Sequence, residues 1–166
     1  MELIKKINDK FEEYFAAVLL TVMTILIFFQ VISRFILNAP LAWSEETARY
    51  TFVWLIYISA ALAVKRQEHI RVEVGLILLK GRAKKAAYIL TDVIFLVFSY
   101  FLMKDGFLLV QKLTEHGQTS PAVGFSMNMV YAIIPVGYGL MAFRLIQNIV
   151  KRIKNFNKEE MIDEND

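Results

Sequence analysis

Long apolar blocks separated by short charged segments dominate the pattern of this chain. The blocks cover residues 14–33, 50–64, 86–103 and 117–143. A helix needs about 20 mainly apolar residues to cross the hydrocarbon core of a bilayer. The pattern therefore predicts an all-α integral membrane protein with four transmembrane helices, over about residues 14–36, 45–64, 86–104 and 128–146.

The second block is too short to span a membrane unless its helix begins before the block itself. Ser44 followed by Glu45 and Glu46 is typical of a helix start. The hydroxyl can accept a hydrogen bond from a free backbone N–H, and carboxylates favour the positive end of the helix dipole. A helix over residues 45–64 then has the required length. The fourth span contains Pro135, which a membrane helix tolerates when neighbouring groups satisfy the freed carbonyl.

A soluble four-helix bundle is the alternative fold for such a chain. Each helix of a soluble bundle would carry a polar face every turn. Residues 16–29 contain only Thr21 and Thr24 as polar side chains, and both can bond back to the preceding turn. We therefore favour the membrane protein. Lysines before the first block resemble a signal peptide, but the block is too long and no small-x-small cleavage site follows, so we expect a retained anchor.

Lysine and arginine are distributed unevenly among the segments between the predicted spans. The two terminal segments and the connection between spans two and three carry 15 of the 19, whereas the other two connections carry four. Because basic residues near membrane helices stay on the cytoplasmic side, we expect both termini in the cytoplasm. The net charge of +3 is therefore a topological signal and does not indicate nucleic-acid binding.

The basic connection between spans two and three also has apolar residues at helical spacing. This spacing predicts a short amphipathic helix over about residues 68–80 in the cytoplasmic interface, with a plain turn as the alternative. Anionic lipid headgroups are the expected contacts of five residues here: His69, Lys80, Arg82, Lys84 and Lys85. Residues 1–150 thus form one four-span domain. Residues 151–166 form a polar cytoplasmic tail, predicted to be disordered from about Asn155.

Composition narrows the possible functions. The chain has no cysteine, which excludes disulfides, thiolate metal sites and a cysteine nucleophile. Neither histidine has a metal-ligand companion at helical spacing, and no phosphate-binding glycine loop or Ser/His/Asp set is present in the sequence. We therefore expect a protein that is not an enzyme and that binds no cofactor or metal.

Four charged residues lie at the outer ends of spans one and two. Arg34 follows the first block. Glu45, Glu46 and Arg49 open the second span, with the arginine three and four residues after the glutamates and on the same helix face. If the two spans form a hairpin, Arg34 meets one glutamate and Arg49 the other. Such a neutral group is either a cation or proton site or a structural clamp, and the clamp is favoured because the arginines neutralise the carboxylates.

Asp92 is the one charge deep inside an apolar block. An intramembrane carboxylate is costly. It either bonds to another helix or the interface, or binds a coupling ion, and the first is favoured because a lone carboxylate lacks the further oxygens of a sodium site. Trp43 fits an aromatic belt at the outer interface. Trp54 lies near mid-membrane, where its N–H needs a partner in the chain's own core or on another membrane protein. Both tryptophans and Pro135 are candidates for packing at an interface.

Three stretches carry a resemblance to a known family. It rests on the ordered run Arg34…Pro40-Leu41-Ala42-Trp43-Ser44-Glu45-Glu46…Arg49…Trp54, on Glu68-His69-Ile70 after the second span, and on Tyr131…Pro135…Arg144 in the last span. Over about residues 12–146 the chain resembles the small, DctQ-like membrane subunit of tripartite ATP-independent periplasmic (TRAP) transporters.

The resemblance implies an accessory scaffold subunit in the bacterial inner membrane. In that family a large, elevator-type subunit holds the substrate and Na⁺ sites for symport. A periplasmic substrate-binding protein delivers an organic acid, such as a sialic acid or a four-carbon dicarboxylate. Structural roles follow for the motif residues Arg34, Trp43, Glu45, Glu46, Arg49 and His69. Two alternatives stay open: a regulatory or assembly membrane protein, and a stand-alone transporter similar to small multidrug exporters, although the first block lacks the carboxylate that such exporters carry.

Overall fold

The computed structural model describes residues 2–66 and 81–163, with side chains at residues 10–66 and 86–153. In this part of the chain the regular structure is helical, apart from one isolated bridge between Thr119 and Ser126. The helices are α1 (Glu2–Phe35), α2 (Ala42–Arg66), α3 (Gly81–Glu115), α4 (Met127–Tyr131) and α5 (Ile133–Asp163).

Four stretches of these helices are long and apolar enough to cross a membrane. They are Lys10–Phe35, Ala42–Arg66, Ala86–Glu115 and Met127–Ile153. The predicted all-α fold with four membrane helices is thereby confirmed. The predicted interfacial helix over residues 68–80, with His69 and Lys80, lies outside the described residues. The same holds for the side chains of Arg82, Lys84 and Lys85, whose backbone forms the start of α3.

The long helices pack side by side in the spatial order α1, α2, α5, α3. The most extensive contacts join α3 with α5, α1 with α2, and α2 with α5, while the short α4 lies against α3. A small apolar core lies between α2 and α5, formed by Ala61, Val64, Met141 and Leu145. Because α2 has one long helix on each side, its two remaining faces meet no other long helix within the described part of the chain.

Polar residues lie inside this layer and large apolar residues lie outside. Among the residues whose side chains are described, buried polar or charged residues are as numerous as buried apolar ones, and they include Glu12, Asp92, Ser99 and Arg144. Large side chains such as Phe28 on α1 are more than half exposed. This distribution is the one expected when the surroundings are lipid, because polar groups inside a bilayer must find partners within the protein.

Two glycines lie where α5 closely approaches α2 and α3. A Cβ atom on Gly137 of α5 would lie 2.7 Å from the Cβ of Tyr57 on α2. A Cβ atom on Gly106 of α3 would lie 2.8 Å from a side-chain carbon of Ile134. Membrane helices commonly approach each other at such small residues, since van der Waals packing drives their association.

The start of α2 differs from the prediction. The helix begins at Ala42, and the Leu41 carbonyl accepts from the backbone N–H groups of Ser44 and Glu45, at 3.1 and 3.4 Å. The Ser44 hydroxyl is fully buried and donates to the Leu26 carbonyl of α1 at 3.0 Å. The expected capping role of Ser44 is therefore wrong. The helix starts at Ala42, three residues before the predicted start, so this hydroxyl faces the neighbouring helix.

The fourth span departs from the prediction in its interior and at its C-terminal end. It is interrupted at Ala132, between α4 and α5. Three residues later, Pro135 has no N–H to donate to the Tyr131 carbonyl, and its ring crowds that carbonyl. At its C-terminal end α5 continues to Asp163, so the predicted disorder is wrong for residues 155–163, while residues 164–166 lie outside the described residues. The sequence has no glycine or proline after Gly139, and nothing in the chain therefore breaks this helix.

Candidate functional site: two polar clusters at opposite ends of the helix layer

The first cluster lies where α1 ends and α2 begins, and Glu45 is at its centre. Arg34 Nη2 and Arg49 Nη2 each lie 3.3 Å from a different oxygen of the Glu45 carboxylate. Gln30 Nε2 donates to the same carboxylate at 3.2 Å. Both arginines thus contact one glutamate, and the expectation that each glutamate takes one arginine is wrong.

Glu46 has a different role from its neighbour. It accepts from the Tyr50 hydroxyl and, at 2.8 Å, from the backbone N–H of Ala122. Successive helix residues point about 100° apart, so Glu46 faces the loop between α3 and α4 while Glu45 faces α1. Glu46 therefore attaches α2 to this loop, although the two residues are 76 positions apart in the chain.

The second cluster lies at the opposite end of the layer and is more deeply buried. Glu12 of α1 is 1% exposed, and its carboxylate accepts from Arg144 Nε of α5 at 2.7 Å and from Lys65 Nζ of α2 at 2.9 Å. A second guanidinium nitrogen of Arg144 contacts the same oxygen of Glu12. Arg144 also donates to Gln147 at 2.8 Å. Three helices therefore meet on one buried carboxylate.

Two further polar contacts surround this second cluster. Asn148 Nδ2 donates to the Val64 carbonyl at 2.9 Å, and so satisfies one of the free carbonyls at the end of α2. Asp92 of α3 lies 3.0 Å from Arg152 Nε of α5, whose guanidinium stacks 4.8 Å above the Tyr88 ring. The structure therefore places Asp92 in an inter-helix ion pair near this end of the layer.

Sequence reasoning did not single out Glu12, Lys65 or Arg144. Lys65 and Arg144 were counted among the basic residues of their segments, and Arg144 also belongs to the motif that carries the family resemblance. A signal was nevertheless present. Glu12 precedes the first apolar block by two residues and Arg144 follows the fourth directly, so opposite charges stand at the same predicted end of two spans.

Trp54 has its hydrogen-bond partner within the chain. Its indole N–H donates to the Val130 carbonyl at 3.0 Å. That carbonyl belongs to the last turn of α4, where helix carbonyls lack an intrahelical partner. The contact between α2 and the interrupted fourth span is thus a core contact. Trp43, by contrast, is 45% exposed at the start of α2.

An apolar groove of about 290 Å³ opens beside Trp54. Its walls come from α1, α2, α4 and the loop before α4: Leu19, Thr47, Tyr50, Thr51, Trp54, Phe125, Met129 and Val130. The polar groups in these walls already have partners, since Thr47 and Thr51 donate to carbonyls one turn earlier in α2. The groove therefore offers a surface suited to apolar groups.

Comparison with protein families gives a match: the family model for the DctQ component of tripartite ATP-independent periplasmic transporters matches residues 23–155 of this chain. The chain belongs to this family. The match includes the cluster around Glu45, the Glu46 contact with the loop, Asp92 and Arg144. The relatives are transporter permeases and not enzymes, as expected from the sequence.

Three relatives, all longer than this chain, show how much of each protein the similarity covers. It is 30% identical over 154 residues to the isethionate TRAP transporter permease protein DctMQ of Oleidesulfovibrio alaskensis, a match covering 89% of this chain and 24% of that protein. It is 24% identical over 159 residues to the sialic acid small permease protein SiaQ of Vibrio cholerae, covering 93% and 88%. The C4-dicarboxylate small permease protein DctQ of Vibrio cholerae is 31% identical over 96 residues, covering 58% and 41%. The chain therefore spans about a quarter of the first relative and most of the second.

Proposed function

We propose that this DctQ component is the accessory scaffold of a Na⁺-coupled TRAP transporter that imports an organic acid. It lies in the bacterial inner membrane with both termini in the cytoplasm. It holds the immobile part of a large, elevator-type subunit, and that subunit contains the substrate and Na⁺ sites.

The observation that carries this proposal is how the buried carboxylates are held. Glu12 is contacted by Arg144 and Lys65, and Asp92 by Arg152. A coupling-ion or proton site needs a carboxylate that can exchange its partner during transport, whereas these carboxylates bind cations fixed to neighbouring helices. Removing one member of a buried pair leaves an uncompensated charge, so such pairs favour one arrangement of the helices. A rigid arrangement suits a scaffold.

The proposed substrate is an organic acid of the sialic acid or four-carbon dicarboxylate class. Relatives named for isethionate, for sialic acid and for C4-dicarboxylate all match this chain. Because relatives named for different substrates are all similar to this chain, we infer that the small subunit does not contact the substrate. The partners we propose are a large TRAP membrane subunit, a periplasmic substrate-binding protein, and anionic lipids at the cytoplasmic surface, with no nucleic acid.

Co-purification and uptake test the proposal together. A tagged chain expressed with the genes that surround it should bring down a large multi-span protein in mild detergent. Proteoliposomes containing both subunits and the binding protein should take up labelled sialic acid or succinate under an inward Na⁺ gradient. Vesicles lacking this chain should lose uptake. If the tagged chain purifies alone, or uptake continues without it, the scaffold role is wrong.

A further inference from the structure

The open face of α2 opposite the groove carries a regular stripe of exposed side chains. Between residues 44 and 64 the exposed positions are Glu45, Arg49, Phe52 and Ile56. Their spacing of four, three and four residues places them in one row along the helix. The row begins with two charged side chains and continues with two large apolar ones that are 48% and 46% exposed.

The charged end of this row has an excess of positive charge. Arg34 and Arg49 share the single carboxylate of Glu45, so the three side chains together carry a net charge of +1. The Arg49 side chain is 69% exposed. It lies six residues into α2 from Trp43, about 9 Å along the helix axis. A further carboxylate beside this row would balance that net charge, whereas lipid acyl chains carry no charge.

The opposite face of α2, whose described side chains line the groove, has no exposed charged side chain that would favour an acidic partner. The hydroxyls of Thr47, Tyr50 and Thr51 and the indole of Trp54 bond within the chain. An apolar groove with satisfied polar groups is well filled by lipid chains. A row that combines large apolar side chains with an exposed cation matches a protein helix that carries a carboxylate.

We infer that this stripe is the docking surface for a helix of the large subunit. A carboxylate of that helix faces Arg49, and apolar side chains of the helix pack against Phe52 and Ile56. The inference rests on the proposed scaffold function and adds to it the face of the chain that the partner covers.

Co-purification of the assembled complex tests the docking surface. The double variant Phe52→Ala/Ile56→Ala should reduce the recovered large subunit by about tenfold or more, since truncating central interface anchors has effects of that size. The control is Ile94→Ala/Phe98→Ala on α3. It removes the same two side-chain types, four residues apart, and both positions are exposed, at 60% and 58%. The control should retain the partner. If the α2 variant retains it as well, or if the α3 variant alone loses it, the inference is wrong.

A second readout does not depend on truncation. Replacing Phe52 with p-benzoylphenylalanine keeps an aromatic side chain and should give a light-induced crosslink to the large subunit, whereas the same replacement of Phe98 should give none. Arg49→Glu should lose the partner and Arg49→Lys should keep most of it. If Arg49→Glu keeps the partner but loses bound phospholipid in native mass spectrometry, a lipid phosphate is the counter-charge and the inference is overturned. A failure of the scaffold proposal itself looks different, because the unaltered chain would then recover no large subunit.

Discussion

The buried carboxylate of Glu12 offers the sharpest test of how this helix layer is held together. Glu12→Gln keeps the shape of the side chain but removes the charge that two cations share. In the native protein, Arg144 and Lys65 approach that carboxylate at 2.7 and 2.9 Å, and Glu12 is 1% exposed. The variant leaves the buried Arg144 and the partly buried Lys65 without this counter-charge.

The size of the effect follows from burial. Breaking a buried ion pair by removing one partner costs about 3–5 kcal/mol. The adjacent Glu13 provides a matched control, because its carboxylate pairs with Arg66 at 3.1 Å but the two side chains are 53% and 44% exposed. Exposed pairs contribute about 0–1 kcal/mol. Glu12→Gln should therefore be several-fold more destabilising than Glu13→Gln, although the two residues are neighbours in the sequence.

The difference in melting temperature between the two variants can be measured in detergent. Samples of the purified chain are heated, and the folded fraction is followed by size-exclusion chromatography. For a chain of this length, 1 kcal/mol corresponds to about 2–4 °C in melting temperature. We therefore expect a decrease of about 6 °C or more for Glu12→Gln and of at most about 4 °C for Glu13→Gln. Equal melting temperatures for the two variants would refute the reasoning. The double variant Glu12→Gln/Arg144→Gln should lose less stability than the sum of its single changes, because the charges are then removed together.

Three further predictions concern other contacts. Gly137→Ala should destabilise the chain by about 1–3 kcal/mol, because its new methyl group would collide with Tyr57. The control is Gly139→Ala, where the nearest atom is 3.5 Å away, and it should leave the melting temperature almost unchanged. Trp54→Phe should cost about 1 kcal/mol, since a carbonyl of α4 loses its indole donor, and an unchanged melting temperature would contradict this. Asp92→Asn should lower stability by about 1 kcal/mol or more but leave the Na⁺ stoichiometry of uptake intact; an altered stoichiometry would assign this carboxylate to ion coupling instead.

Glu45 and Glu46 show how adjacent identical residues acquire different roles. The sequence places both beside two arginines, and charge spacing alone does not distinguish them. In the folded chain Glu45 takes both arginines, whereas Glu46 turns toward the loop before α4 and accepts from the Ala122 backbone. The two glutamates differ because the rotation of α2 about its axis decides which neighbour each one faces. That rotation depends on how α2 packs against α1 and α5, and the local sequence pattern contains no information on it.

The membrane helices and the family can be recognised from the sequence without a structure. The length of an apolar block and the position of a motif such as Trp43-Ser44-Glu45-Glu46 are local properties, so they can be recognised without knowing any contact. The start of α2 and the end of α5 were predicted less well, because helix ends depend on which groups satisfy the terminal backbone. Leu41 rather than Ser44 supplies the first carbonyl of α2, and no breaking residue ends α5 near Asn155.

The pairing of the polar groups, by contrast, follows from the packing of the helices. Glu12 and Arg144 are 132 positions apart, and Trp54 and Val130 are 76 positions apart. Such partners depend on the spatial order of the helices, with α2 between α1 and α5, and on their relative heights in the layer. Polar side chains in an apolar surrounding must find partners, and the sequence shows that need. Which partner each one finds is decided by the packing of helices that are distant in the chain.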